Sequence, residues 1–259
     1  MNIDASWWVA VAWLGILGVA TTGYFIHLVR RSDYGYWESC LYLPTYLMGR
    51  LVWRVHFTNN PPPALSSGAI LVANHRSSVD PFFVQLAARR RVHWMVAKEY
   101  CDHFLFGLIL KAVQAIPTNR NGMDTASTKA AMRLTKEGRL VGMFPEGRLN
   151  HTSNPLISIR SGAAAVAIRS GVPIIPLYID GSPYRRTVWS PLFMAAHVGI
   201  TFGRPIYPAE YQDNAEGYAA SDAMILAWAQ ELLKLANQPD FPVQLSAKRR
   251  RVRDSITRT

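Results

Sequence analysis

Residues 69–88 read AILVANHRSSVDPFFVQLAA, and the order of residue types in that run decides the fold. Five apolar residues without alternation, Ala69 to Ala73, read as a strand buried on both faces. A polar turn follows, from Asn74 to Ser78, and beyond Asp80 the run 81–88 is apolar again in a helical pattern. The same succession recurs downstream. Candidate strands cover 69–73, 92–97, 140–144, 174–179 and 197–202, and candidate helices cover 81–88, 123–136, 161–169 and 219–235. This alternation predicts an α/β domain with a central, mostly buried sheet flanked by helices.

Upstream of that domain, Ala5 to Val29 holds no Asp, Glu, Lys or Arg. A bilayer span needs about 20 apolar residues, so the segment is long enough. Trp7, Trp8 and Trp13 gather at one end and Tyr24 lies near the other, as an aromatic belt would. Arg30 and Arg31 follow at once, which places the rest of the chain on the cytoplasmic side of the inner membrane by the positive-inside bias. A cleaved signal peptide fits less well: no positive residue precedes the run, which is longer than a usual signal core. Residues 37–57 mix apolar residues with Arg50 and Arg54 and suit a helix lying at the interface, its arginines reaching for lipid phosphates. A plain core helix is the alternative. Pro61-Pro62-Pro63 then marks the domain start. The expected organisation is a transmembrane anchor over 1–31, an interfacial helical segment over 32–60, a catalytic domain over 61–240 and a basic tail over 241–259.

The net charge is +11, from 28 Lys and Arg against 17 Asp and Glu. It calls for a negative partner, and an anionic membrane surface or a phosphorylated substrate fits better than nucleic acid, for which no recognition motif is present. Apolar residues make up 49% of the chain and charged ones only 17%, short of the ~25% usual for soluble proteins. The basic run 248–253 reads as a lipid-seeking tail. Cys40 and Cys101 lack metal or redox spacing and read as free thiols. Arg89-Arg90-Arg91 reads as a solvated or lipid-facing loop.

Four segments carry chemistry. In the first, His75 and Asp80 stand five positions apart across a turn that can bring the carboxylate back to the imidazole. An imidazole, with an ordinary pKa of about 6.5, suits removal of a hydroxyl proton at cellular pH. A carboxylate on its far nitrogen fixes the tautomer and stabilises the imidazolium. The second segment, Ala115 to Arg120, is a strand exit ending in an arginine. The third is Phe144-Pro145-Glu146-Gly147-Arg148, where glycine lets backbone approach a ligand and Arg148 offers a planar fork to phosphate. The fourth, Gly171 to Leu177, is an apolar strand whose Pro173 and Pro176 suggest an edge position. Each alone is ordinary structure: a capping Asp and a surface His would explain the first pair equally well.

Together and in this order, from about residue 69 to 202, the segments resemble the blocks of the glycerolipid acyltransferase family, most closely its bacterial 1-acylglycerol-3-phosphate members. Two departures stand out. Arg148 follows Gly147 directly where many members interpose a threonine, and 111–115 lacks the glycine common in the second block. The resemblance implies that His75 is the general base and Asp80 its partner. It implies that Asn74, Lys98, Arg120, Glu146, Gly147 and Arg148 bind the acceptor, and that Val172, Pro173, Ile175 and Pro176 form the acyl-donor side. The implied reaction moves a fatty acyl group from acyl-CoA or acyl-carrier protein to 1-acylglycerol 3-phosphate, with no metal or other cofactor. Glycerol 3-phosphate or another lysophospholipid as acceptor is the nearest alternative. An inactive membrane lipid-binding protein is the other.

Overall fold

The computed structural model describes residues 5–31, 33–102, 104–119, 125–185, 187–212 and 218–246. Two helices come first, α1 (Ala5–Arg31) and α2 (Tyr36–Leu51). There follow β1 (His56–Phe57), β2 (Ala69–Ala73), α3 (Asp80–Ala88), β3 (Val92–Ala97), α4 (Lys98–Cys101), α5 (Phe104–Ala112), β4 (Ile116–Thr118), α6 (Thr125–Lys136) and β5 (Leu140–Met143). The chain continues with α7 (Gly162–Ser170), β6 (Ile174–Asp180), β7 (Gly199–Phe202), α8 (Ala209–Gln212) and α9 (Tyr218–Leu235).

The strands form one sheet in the order β1-β7-β6-β2-β5-β3-β4. From β6 to β4 every neighbouring pair is parallel, and β7 runs antiparallel to β6. The expected α/β architecture with a buried sheet is therefore present. Alternate residues of each central strand serve opposite layers, which is why these strands read as unbroken apolar runs. Leu71, Ala73, Trp94, Ile175 and Leu177 face a core completed by Phe83, Val84 and Trp53. Ile70, Val72, Val141, Met143 and Ile174 face the other, filled by α7 and by Met224, Trp228 and Leu232 of α9. Trp228 is fully buried and donates its indole N–H to the Val72 carbonyl at 3.0 Å, so its polar atom is satisfied inside the core. Burial of each large side chain contributes roughly 1.5–3 kcal/mol.

The crossovers position the site. α3 carries the chain from β2 to β3 on the first face, and α7 carries it from β5 to β6 on the second. Neighbouring strands β2 and β5 thus send their continuations in opposite directions, which opens a crevice at their C-terminal ends, the usual ligand position in such sheets.

Four sequence expectations change. The helix expected over 37–57 stops at Leu51, and the domain begins before residue 61: Trp53 (1% exposed) and Val55 point into the core, and β1 pairs with β7. The indole of Trp53 donates to Pro191 O at 3.2 Å, and the exposed Arg54 donates to His197 Nε2 at 2.7 Å. The strand of the fourth segment, β6, is interior, between β7 and β2. Pro176 is tolerated there because the pairing with β7 slips by one residue, from Leu177↔Phe202 to Ile174↔Ile206, and the bulge removes the need for its missing N–H. Finally, Arg90 and Arg91 are structural ties. Arg90 donates to Leu65 O, Gly138 O and Asp33 at 2.6, 2.8 and 3.2 Å, and Arg91 is ion-paired with Glu38 of α2.

Before the domain, 22 residues of α1, Ser6–His27, are long and apolar enough to cross a bilayer, and none of the apolar stretch is buried within the protein. Helix α2 lies against α1, and Tyr24 meets Tyr46 through their hydroxyls at 3.1 Å. The basic run 248–253 lies outside the described residues.

Candidate active site

His75 and Asp80 meet as the turn between β2 and α3 allows. His75 Nδ1 lies 3.0 Å from Asp80 Oδ2. The same oxygen accepts the backbone N–H groups of Arg76 and Ser77, each at 2.7 Å, and Oδ1 accepts the Ser182 hydroxyl at 2.7 Å. Asp80 is fully buried, and a buried carboxylate persists only with such a complement of donors. Among the described residues, His75 Nε2 has no hydrogen-bond partner. An imidazole held through one nitrogen with the other available is the arrangement of a general base.

The ring is also held by its face. His75 stacks on Phe144 with centroids 3.8 Å apart and planes 7° from parallel, and Phe144 stacks on Trp94 at 4.7 Å and 12°. The register explains the pile: Trp94 lies opposite Gly142, and Leu71 lies opposite Gly142 on the other side, so Trp94, Phe144, Ala73 and His75 share one face of the sheet. Gly142 makes the room. A Cβ there would fall 2.7 Å from the Trp94 ring.

Glu146 serves the backbone. Its Oε1 accepts the His75 N–H at 2.8 Å and its Oε2 the Ile157 N–H at 3.2 Å, so one carboxylate joins the loops that leave β2 and β5. It is buried, and burial outweighs the two donors and pushes its carboxyl up to about 7. Gly147 takes a left-handed φ of +66°, which glycine adopts without strain. A side chain there would meet the Arg160 guanidinium at 3.3 Å. Arg160, not selected from the sequence, thus stands at the rim beside Arg148, and both are exposed. Lys98 opens α4 at the end of β3 and is likewise exposed. Arg120 lies outside the described residues.

Several residues assigned to binding lie in the interior. The Asn74 carboxamide is buried and spent on strand β6, accepting the Ile179 N–H at 2.8 Å and donating to its carbonyl at 2.9 Å. Val172, Pro173, Ile175 and Pro176 are all buried in and before β6, and Ile175 and Val172 pack into the first and second core. Among the other histidines, His93 is buried with Nδ1 3.1 Å from Gln114 O, in keeping with a packing role. Among the described residues no three His, Cys, Asp or Glu side chains gather as metal ligands.

Ser182, Phe144 as a stacking partner, and Arg160 were missed from sequence. Only Phe144 carried a signal, its two-residue spacing from Gly142 on one strand face.

Comparison with known proteins bears on this geometry. Residues 53–180 match the Acyltransferase family model. A Bacillus subtilis protein named 1-acyl-sn-glycerol-3-phosphate acyltransferase is 26% identical over 175 residues, covering 67% of this chain and 84% of its own length. One of the same name from Streptococcus pneumoniae is 28% identical over 172 residues, covering 62% of each chain. The crystal structure of the 1-acyl-sn-glycerophosphate (LPA) acyltransferase PlsC from Thermotoga maritima superimposes with a TM-score of 0.56 at 15% identity, over 82% of this chain and 79% of that one. That likeness is one of fold.

Proposed function

We propose, from the premise that this chain carries an Acyltransferase-family domain over residues 53–180, that it transfers a fatty acyl group from a thioester to the free hydroxyl of 1-acylglycerol 3-phosphate, yielding phosphatidate. The observation that carries the reading is His75 held at Nδ1 by the buried Asp80 carboxylate, in the crevice between β2 and β5. The names of the relatives supply the acceptor.

In this reading the acceptor hydroxyl gives its proton to His75 Nε2 as its oxygen attacks the thioester carbonyl. Asp80 stabilises the imidazolium. As the carbon–sulfur bond breaks, the proton passes to the departing thiolate, so base and charge are restored. The acceptor's own oxygen attacks, and no acyl-enzyme forms. Arg148, Arg160, Lys98 and Arg120 are the cations assigned to the acceptor phosphate, and Gly147 lets backbone approach it. Holding both reactants in line converts a bimolecular step into an effectively unimolecular one. Acyl-CoA and acyl-carrier protein offer the same thioester and are both admitted as donors. The apolar α1 is assigned as the membrane anchor, with the domain on the cytoplasmic side, because Arg30 and Arg31 follow the span.

The test is acyl transfer by purified protein in vesicles, with labelled acyl-CoA or acyl-carrier protein. It offers 1-acylglycerol 3-phosphate, glycerol 3-phosphate and neutral lysolipids in parallel, beside a His75→Ala variant. Phosphatidate from the wild type and none from the variant is the expected result. Product from another acceptor only would move the enzyme to a different step of lipid synthesis. Full turnover by His75→Ala would remove the proposed base, and no product from any pairing would overturn the reading.

A further inference from the structure

We infer that Ser182 is a positioning residue of the His75–Asp80 pair, holding the Asp80 carboxylate in the orientation that meets the imidazole. The inference rests on the acyl-transfer reading above and adds a third member to its proton-handling line. The donors around Asp80 are unevenly shared. Three converge on Oδ2: the His75 ring at 3.0 Å and the N–H groups of Arg76 and Ser77 at 2.7 Å. Oδ1 takes only the Ser182 hydroxyl, at 2.7 Å, among the described residues. The three Oδ2 partners all belong to the turn that carries the carboxylate itself, so none of them ties it directly to another strand. Ser182 alone refers it to a different part of the fold.

That reference point is well fixed. Ser182 follows β6, and Ile179 of β6 is clamped through both backbone groups to Asn74, the residue before His75. Between them Gly181 turns the chain with φ +68°, at a place where a Cβ would lie 2.1 Å from the His197 carbonyl. The buried Asn74 carboxamide and the left-handed Gly181 together deliver one hydroxyl to the far side of Asp80. Without it, a fully buried carboxylate oxygen would lack a donor, and the carboxylate would be free to turn off the His75 Nδ1 axis. Ser182 borders a cavity of about 190 Å³ with Tyr178 and Arg76, and threonine carries the same hydroxyl on a slightly larger side chain.

The test compares Ser182→Ala, Ser182→Thr and Ser182→Cys in the full-length protein, in the same vesicle assay, with melting followed by circular dichroism. Ser182→Ala is expected to lower kcat about tenfold with KM for donor and acceptor unchanged, since a tilted base costs rate and leaves binding intact. Ser182→Thr should recover most of the rate, and Ser182→Cys, a weaker donor of similar size, should fall between. Placing Ser182→Ala on an Asp80→Asn background should cost nothing further if the hydroxyl acts through Asp80. An unchanged kcat in Ser182→Ala, or an additive loss on Asp80→Asn, would overturn the inference while the wild-type turnover still upheld the reaction. Should Ser182→Ala prove unstable, the ranking of threonine over cysteine at equal melting temperature decides the matter. A wild type inactive with every donor and acceptor would overturn the reaction and this inference together.

Discussion

Replacing Gly142 with alanine adds one carbon and should reach His75 through two aromatic rings. The new Cβ would lie 2.7–2.8 Å from three atoms of the Trp94 indole, against an ordinary contact distance of at least 3.4 Å. Indole and strand must therefore part by about 0.7 Å, from the difference between those distances. Trp94 is 3% exposed and cannot swing out. Behind it Phe144 lies stacked at 4.7 Å, and behind Phe144 the His75 ring at 3.8 Å, so the displacement is passed to the imidazole. Overpacking of this kind costs roughly 1–3 kcal/mol. Alanine in a strand interior returns roughly 0.5–1 kcal/mol of backbone entropy, so the clash wins. At about 2–4 °C per kcal/mol for a domain of this size, melting should fall by several degrees. A misplacement of ~1 Å can cost ~100-fold in rate, so a loss of about tenfold in acyl transfer is expected. Adding Trp94→Leu should restore part of the stability by making room, while leaving Phe144 without its backing. Gly142→Ala that melts with the wild type and keeps full activity would refute the mechanical link from Gly142 to His75.

The remaining predictions concern stability. Glu146 holds its proton in the folded protein up to about pH 7, whereas the unfolded chain releases it from about 4.3 upward. The unfolded state therefore binds fewer protons between those values, and this group's contribution to stability falls as pH rises through the window, by up to roughly 3 kcal/mol. Urea titrations at pH 5 and pH 8 should show that slope in the wild type and lose it in Glu146→Gln; equal slopes would show that Glu146 is ionised throughout. Arg91→Ala leaves Glu38 without its partner and frees α2 from the start of β3, at a cost of roughly 3 kcal/mol for breaking a largely buried pair. Limited proteolysis should then cut between residues 33 and 54, and resistance equal to the wild type would show that α2 is held by apolar packing alone.

What was legible in the sequence follows from how far each relationship reaches along the chain. β2 matches its sequence range residue for residue because a strand buried on both faces is an unbroken apolar run, and β3 matches its range although His93 interrupts it. β1 was invisible: His56 and Phe57 are both exposed and carry no pattern, and their pairing with Gly199 and Ile200 is fixed by tertiary contacts. α4 (Lys98–Cys101) and α5 (Phe104–Ala112) are two helices outside the sequence expectation. His75 and Asp80 were legible because five residues and one turn join them. Ser182 is 102 positions from Asp80 and Glu146 is 71 from His75. Those contacts depend on which strand lies beside which. Pro176 misled for the same reason, since a bulge in the partner strand excuses a proline that local reading sends to the edge. Arg90 and Arg91 misled because a charge run looks solvated until carbonyls from residues 65, 67 and 138 are found around Arg90 and Glu38 beside Arg91, while Arg89 is exposed as expected.

The opposed crossovers at β2 and β5 have a consequence for how such a site can diversify. One loop belongs to β2 and α3 on one layer, the other to β5 and α7 on the opposite layer, and Glu146 is the bolt between them. The loop after Gly147 also grips the first loop directly: Asn150 donates its backbone N–H to the His75 carbonyl at 2.7 Å, and the Arg76 guanidinium donates to Thr152 O at 2.7 Å. A change in one loop is therefore felt in the other, and the two layers can diversify only together.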